Sequence, residues 1–118
     1  MKINSGGLIE KISLWDKLCL FNDYFKPQII AELNGQQVKL VKFKGPFMWH
    51  QYENEDKLFL VILGKFIMQF RDRNILVSRG ELIVVPMGIE HCPLSEDEAW
   101  VMVIEPAGTV NSMLSKKH

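Results

Sequence analysis

The sequence has no excess of charge of either sign, because fourteen lysines and arginines balance fourteen aspartates and glutamates among its 118 residues. Proteins that bind nucleic acids neutralise phosphates with clustered positive charge, and no basic stripe is present. No apolar stretch reaches the length that spans a membrane. The opening residues, MKINSGGLIEKISLW, carry charges where a signal peptide needs an apolar run. We therefore expect a cytoplasmic protein that binds neither nucleic acid nor membrane.

Cysteine is scarce, and the sequence contains only Cys19 and Cys92. A CxxC pair, a phosphate-binding glycine loop and a Ser-His-Asp set are absent from the sequence. A reducing cytosol and a core of adequate size favour two free thiols over a disulfide. Cys92 directly follows His91, which raises a nucleophile and base pair as an alternative. Adjacent residues of a strand point to opposite faces, so we do not expect these two to act together.

The length of the chain predicts a single domain, which we divide into three parts. Residues 1–26 form an N-terminal segment, residues 27–111 a β-rich body and residues 112–118 a C-terminal tail. A short helix is predicted in the first part, because apolar residues recur there at near-helical spacing. These residues are Leu8, Ile12, Trp15 and Cys19.

The β-rich body begins with the runs QIIAEL and QVKLVKF, which flank Asn34-Gly35. Asn-Gly supplies the two positive φ angles that a tight hairpin turn needs. Further apolar runs follow with turn residues between them: FMWHQY, LFLVIL, FIMQF, ILV, ELIVVP, EHCP and AWVMVIE. Many short strands with no helix between them predict an antiparallel sandwich or barrel.

Two of these runs, LFLVIL and LIVV, are apolar at every position. A strand of an antiparallel sheet normally shows polar residues on the face that meets water, so a strand that is apolar on both faces needs cover on both sides. A partner subunit would supply the second cover, and we therefore predict a homodimer. The alternative is an N-terminal segment that folds back over the same face.

Two stretches contain polar residues at a regular spacing. In GELIVVPMGIEHCPLS five residues separate a glycine from Pro-x-Gly, and two further residues separate Pro-x-Gly from a histidine. In WHQYENEDKLFLVILG a histidine and a tyrosine lie two residues apart, ahead of a lysine and a closing glycine. The residues concerned are Gly80, Pro86, Gly88 and His91 in the first stretch, and His50, Tyr52, Lys57 and Gly64 in the second.

This spacing resembles the two motifs of the cupin superfamily of small β-barrels. FRDRNILVSRGELIVVPMGIEHCP and VIEPAGTVN are also similar to the small single-domain cupins described as mannose-6-phosphate isomerase-like. The resemblance implies an antiparallel double-stranded β-helix, the cupin jelly-roll barrel, with the short helix ahead of it. It does not fix an activity, because one fold hosts many functions.

The resemblance also implies a site for Fe, Mn, Ni or Zn, made by three histidines and a glutamate. Tyr52 stands at one of the histidine positions and Lys57 at the glutamate position. A neutral phenol is a weak ligand, and a lysine places a cation where the family places an anion. His50 and His91 remain, so a bound metal would need Tyr52, Glu53 or Glu55 to complete its shell.

We predict a small-molecule binding or sensing module with a pocket lined by His50, Tyr52, Lys57 and His91. One cation beside three hydrogen-bonding rings suits a small carboxylate or a phosphorylated polyol. The alternative is a divalent-metal enzyme of isomerase or dioxygenase type that acts on a sugar or small oxygenated acid. In a third interpretation the barrel only presents surfaces for assembly. There are also structural alternatives without a ligand site. In these, His50 is a core residue, and Lys57 lies at the barrel rim beside the acidic run.

Overall fold

The computed structural model describes residues 9–52, 54–108 and 111–113, and the side chains of residues 52 and 111–113 lie outside this description. One short helix precedes nine strands in this part of the chain. The helix α1 is Leu14–Leu18. The strands are β1 Gln28–Leu33, β2 Gln36–Pro46, β3 His50–Tyr52, β4 Lys57–Leu63, β5 Lys65–Phe70, β6 Asn74–Ser78, β7 Leu82–Val85, β8 His91–Pro106 and β9 Asn111–Met113.

The predicted N-terminal helix is present, although it is only five residues long. Ser13 caps it, because its hydroxyl accepts a hydrogen bond from the Asp16 N–H at 3.2 Å. Leu8, the first residue of the predicted helical spacing, lies outside the described residues. The first strand begins at Gln28, one residue after the predicted start of the β-rich body.

The predicted hairpin joins β1 to β2. Asn34 and Gly35 have φ angles of 49° and 76°, and Leu33 pairs with Gln36 across the turn. Positive φ at both turn residues gives the twist that matches two antiparallel strands. This turn brings β2 alongside β1 and sets the register from which the first sheet extends.

The strand β8 belongs to two sheets. Its second half pairs with β2 and β4, which completes one sheet in the order β1-β2-β8-β4-β7. Its first half pairs with β5 and β3, which gives a second sheet in the order β6-β5-β8-β3-β9. The end of β2 also reaches this half, where Gly45 and Pro46 pair with Ser95 and Leu94. The sequence patterns EHCP and AWVMVIE predicted separate strands, whereas the structure joins them in one strand of 16 residues. All described pairings are antiparallel, as in the predicted double-stranded β-helix.

The core lies between the two sheets. It is a cluster of valine, phenylalanine and methionine side chains from β2, β4, β5, β6, β7 and β8. Along β4 the inward positions are Lys57, Phe59 and Val61, which are buried, while the residues between them are more exposed. A strand alternates the direction of its side chains at every residue, so this pattern points Lys57 into the barrel.

The N-terminal segment covers part of the outer face of the first sheet. Leu18 is fully buried there and packs with Ile30 and Leu40, while Ile62 and Met102 flank this second cluster. Over this part of the face, the N-terminal segment therefore folds back and covers the sheet, as the alternative to a partner subunit predicted.

Another part of the same face remains open in the described residues. Leu82 and Val84 of β7 are about half exposed, and they pair with Leu60 and Leu58 of β4. Among the helices that the structure describes, none has the length and apolar character needed to cross a membrane.

Candidate functional site

A cavity of about 220 Å³ opens within the barrel. Phenylalanine, valine and proline side chains form most of its lining, and its polar groups come from His50, Lys57 and His91. Phe25 of the N-terminal segment and Pro27, which directly precedes β1, complete the wall. Three of the four predicted ligand-binding residues therefore lie around one cavity, whereas the side chain of Tyr52 lies outside the described part.

Strand pairing brings the two histidines together. His50 of β3 is the direct antiparallel partner of His91 of β8. Both residues are buried, and their ring centroids lie 6.0 Å apart at an interplanar angle of 25°. The ring of Phe47 stacks on the other side of His50 at 4.7 Å. The sequence motifs correctly predicted that two distant histidines meet at one point.

The Pro86-Gly88 turn holds His91 in place. Gly88 has a φ of 78°, which glycine adopts at little cost. The N–H of Met87 donates to the Asp56 carboxylate at 3.0 Å, so the acidic run ahead of β4 is tied to this turn. His91 Nδ1 lies 2.9 Å from the carbonyl oxygen of Ile89. Since a carbonyl only accepts, Nδ1 carries the hydrogen and Nε2 keeps the lone pair.

Both imidazoles are neutral at physiological pH. The pKa of His91 is lowered to about 4, chiefly by burial, with His50 and Lys57 acting in the same direction and the hydrogen bond to Ile89 opposing the shift. Burial also lowers the pKa of His50, to which Lys57 contributes in the same direction. The pair therefore offers hydrogen-bonding and ring surfaces without adding charge to the cavity.

Lys57 is a buried cation in the cavity wall, and its main partner was not predicted. Its Nζ lies 3.3 Å from Glu105 Oε2, within ion-pair distance. Lys39 Nζ donates to the other oxygen, Oε1, at 2.6 Å. Burial lowers the pKa of Lys57, while Glu105 opposes this shift. Two ammonium groups thus share one buried carboxylate. The alternative that Lys57 lies at the barrel rim is wrong, because its side chain is buried.

Cys92 does not form a nucleophile with His91. Its Sγ donates to the carbonyl of Phe47 at 3.3 Å, and burial raises the pKa of the thiol. A raised pKa leaves little thiolate at neutral pH, which is the reactive form. Cys92 is a buried structural thiol, and the described residues also leave Cys19 as a free cysteine.

The described side chains do not fit the metal site that the family pattern implies. His50 and His91 supply two imidazoles, and Lys57 supplies an ammonium where a carboxylate is required. Glu55 is half-buried and does not line the cavity. No group of three His, Cys, Asp or Glu in the described part of the chain has the arrangement to hold an ion. The contributions of Tyr52 and Glu53 stay predictions, because the side chain of Tyr52 and the whole of Glu53 lie outside that part.

Sequence reasoning missed Glu105, Phe25 and Phe47. A signal for Glu105 is present in AWVMVIE, because Glu105 has the same strand parity as the buried residues Val101 and Val103. An acid at an inward position needs a buried cation, and Lys57 provides one. Phe25 has no comparable signal, since its position depends on an unusual backbone conformation.

Known proteins share this barrel. A cupin-2 domain protein from Shewanella frigidimarina is 44% identical, with a TM-score of 0.79 over 80% of this chain and 93% of its own. A Neisseria meningitidis protein is 32% identical, with a TM-score of 0.77 over 83% of this chain and all of its own. The chain belongs to the cupin superfamily as one of its small members. The finer likeness to mannose-6-phosphate isomerase-like members stays a prediction.

A further match is to YdbB, an uncharacterized Bacillus subtilis protein. The two are 32% identical over 63 residues, which span 52% of this chain and 56% of YdbB. The match thus covers about half of each protein. No protein-family model matches the chain.

Proposed function

We propose that this cupin is a small-molecule binding module that holds a small carboxylic acid in the barrel cavity through Lys57. The observation that carries the proposal is the position of Lys57, a buried ammonium on the wall of a largely apolar cavity. Water competes poorly in such a place, so an ionic hydrogen bond to a bound carboxylate is strong. The shared use of Glu105 by Lys39 and Lys57 supports an anion as the ligand.

The lining of the cavity favours an acid with an apolar body over a phosphorylated polyol. Four phenylalanines contribute to the wall, whereas a polyol needs many hydrogen-bonding partners to replace its water. The neutral imidazoles of His50 and His91 supply a small number of polar contacts, as is usual in ligand pockets. A metal-dependent reaction is not part of this proposal, because the described donor set does not fit the ion.

The test is binding of small monocarboxylates, measured by thermal shift and calorimetry. We expect millimolar or tighter binding to wild type, and its loss in Lys57→Met. Lys39→Met is the matched control, because Lys39 contacts the same carboxylate of Glu105 but does not line the cavity. This control should still bind. Equal binding by wild type and folded Lys57→Met would refute the proposal.

A further inference from the structure

Phe25 has a backbone conformation that is rare for an aromatic residue. Its φ is 56°, in the left-handed region that favours glycine. Such strain persists only where surrounding contacts fix it, and it is common where a side chain must be aimed at a ligand. Here the Phe25 N–H donates to the Lys42 carbonyl at 2.8 Å. The same lysine holds the segment with its side chain, because its Nζ donates to the Phe21 carbonyl at 2.7 Å.

The strained backbone places the Phe25 ring in a continuous column of rings. Phe25 stacks against Phe43 at 5.1 Å and 20°, and against Phe47 at 4.4 Å and 5°. Phe47 stacks on His50, which in turn faces His91. All five residues line the cavity. One side of the cavity is therefore made of consecutive, nearly parallel rings.

The rings of such a column cover one another's faces and turn their edges to the cavity. These edges favour the face of an aromatic ligand in an edge-to-face contact, whereas a puckered saturated ring has no π face to meet them. An apolar cavity of about 150 Å³ is known to hold a benzene molecule. The cavity of about 220 Å³ has room for such a ring together with a carboxylate group.

We infer that Phe25 is a specificity-determining residue that selects acids with a planar ring. This inference rests on the proposed binding of a carboxylate at Lys57. The acid group lies toward the ammonium, and the ring of the ligand packs against the aromatic column that Phe25 completes. The ligand class is thus a small aromatic carboxylate, and the N-terminal segment supplies part of its binding site.

Benzoate and cyclohexanecarboxylate form a matched pair of probes, since they have the same number of carbon atoms and one carboxylate each. Calorimetry should show that wild type binds benzoate about three- to tenfold more tightly, the range expected for aromatic contacts beyond simple burial. Phe25→Leu keeps an apolar side chain at the same φ but removes the aromatic edge that meets the ligand. This variant should bring the affinity ratio close to one.

Two further variants separate the role of the ring from other effects. Phe25→Gly relieves the positive φ and removes the side chain, so it should fold and weaken benzoate binding more than cyclohexanecarboxylate binding. Tyr24→Leu is the matched control, because Tyr24 is the neighbouring aromatic residue, donates to Glu98 and does not line the cavity. It should keep the wild-type ratio.

The outcomes distinguish this inference from the proposal on which it rests. If neither acid binds, or if both bind equally well to Lys57→Met, the proposed function is wrong. If both acids bind in a Lys57-dependent way but with equal affinity, only the selection by Phe25 is wrong. An unchanged ratio in folded Phe25→Leu would also overturn it.

Discussion

A fall in pH from about 7.5 to about 5 is expected to destabilise the fold through His91. The pKa of this buried ring is lowered from 6.5 to about 4, so between these values the unfolded chain takes up a proton that the folded chain does not. The contribution of His91 to stability is complete above about pH 6.5 and is lost as the pH falls toward about 4. Inserted in the linkage relation, the two pKa values give a loss of about 2 kcal/mol between about pH 7.5 and about pH 5.

Urea unfolding in the presence of EDTA, followed by tryptophan fluorescence, measures this loss. His91→Gln keeps a neutral polar group near the Ile89 carbonyl, and it should lose about 2 kcal/mol less than wild type over the same pH interval. Surface carboxylates titrate alike in both proteins and cancel in the comparison. His50→Gln measures the second imidazole separately, because the pKa of His50 is lowered in the same direction. Equal losses in wild type and His91→Gln would refute the argument.

Three further predictions concern stability and assembly. Gly64→Ala should destabilise the fold by about 1–3 kcal/mol more than Gly80→Ala in urea unfolding. Both residues have φ near +80°, but of the two only Gly64 would place an added Cβ against a backbone carbonyl oxygen, at 2.7 Å. Glu105→Gln should lower the free energy of unfolding by about 3–5 kcal/mol. Adding Lys57→Met to this variant should restore part of that free energy, and no recovery in the double variant would contradict the ion-pair role. We also propose a homodimer through the exposed face of β7, so sedimentation should give about twice 13.7 kDa, and Val84→Lys should reduce the mass to that of one chain; a wild-type monomer would refute this.

Local patterns in the sequence predicted those parts of the fold that depend on few residues. The hairpin at Asn34-Gly35 follows from backbone preference alone. The meeting of His50 with His91 followed from the spacing of two motifs in a known type of barrel. The continuity of β8 was not predictable in this way, because polar residues such as Glu96 interrupt its apolar pattern where it passes from one sheet to the other.

The polar partners within the site depend on contacts between distant parts of the chain. Lys57 and Glu105 meet because β4 pairs with β8 in a particular register, with Leu58 opposite Ile104. No local rule fixes that register before the sheet is assembled. Phe25 is a stronger case, since a bulky residue at positive φ opposes its own preference and is held there by tertiary contacts.

The sharing of β8 between two sheets has a consequence for how the chain folds during synthesis. Every strand that pairs with β8 precedes it in the sequence. Residues of β2 pair with residues of β8 that lie about sixty positions later in the chain, so these pairs form only after β8 has been synthesised. Neither sheet is complete until β8 has been made, so folding is dominated by contacts of long sequence separation and is expected to be slow. A nascent chain that stalls before residue 91 would expose the edges of β2 and β4 together, which makes it a substrate for chaperones or for aggregation.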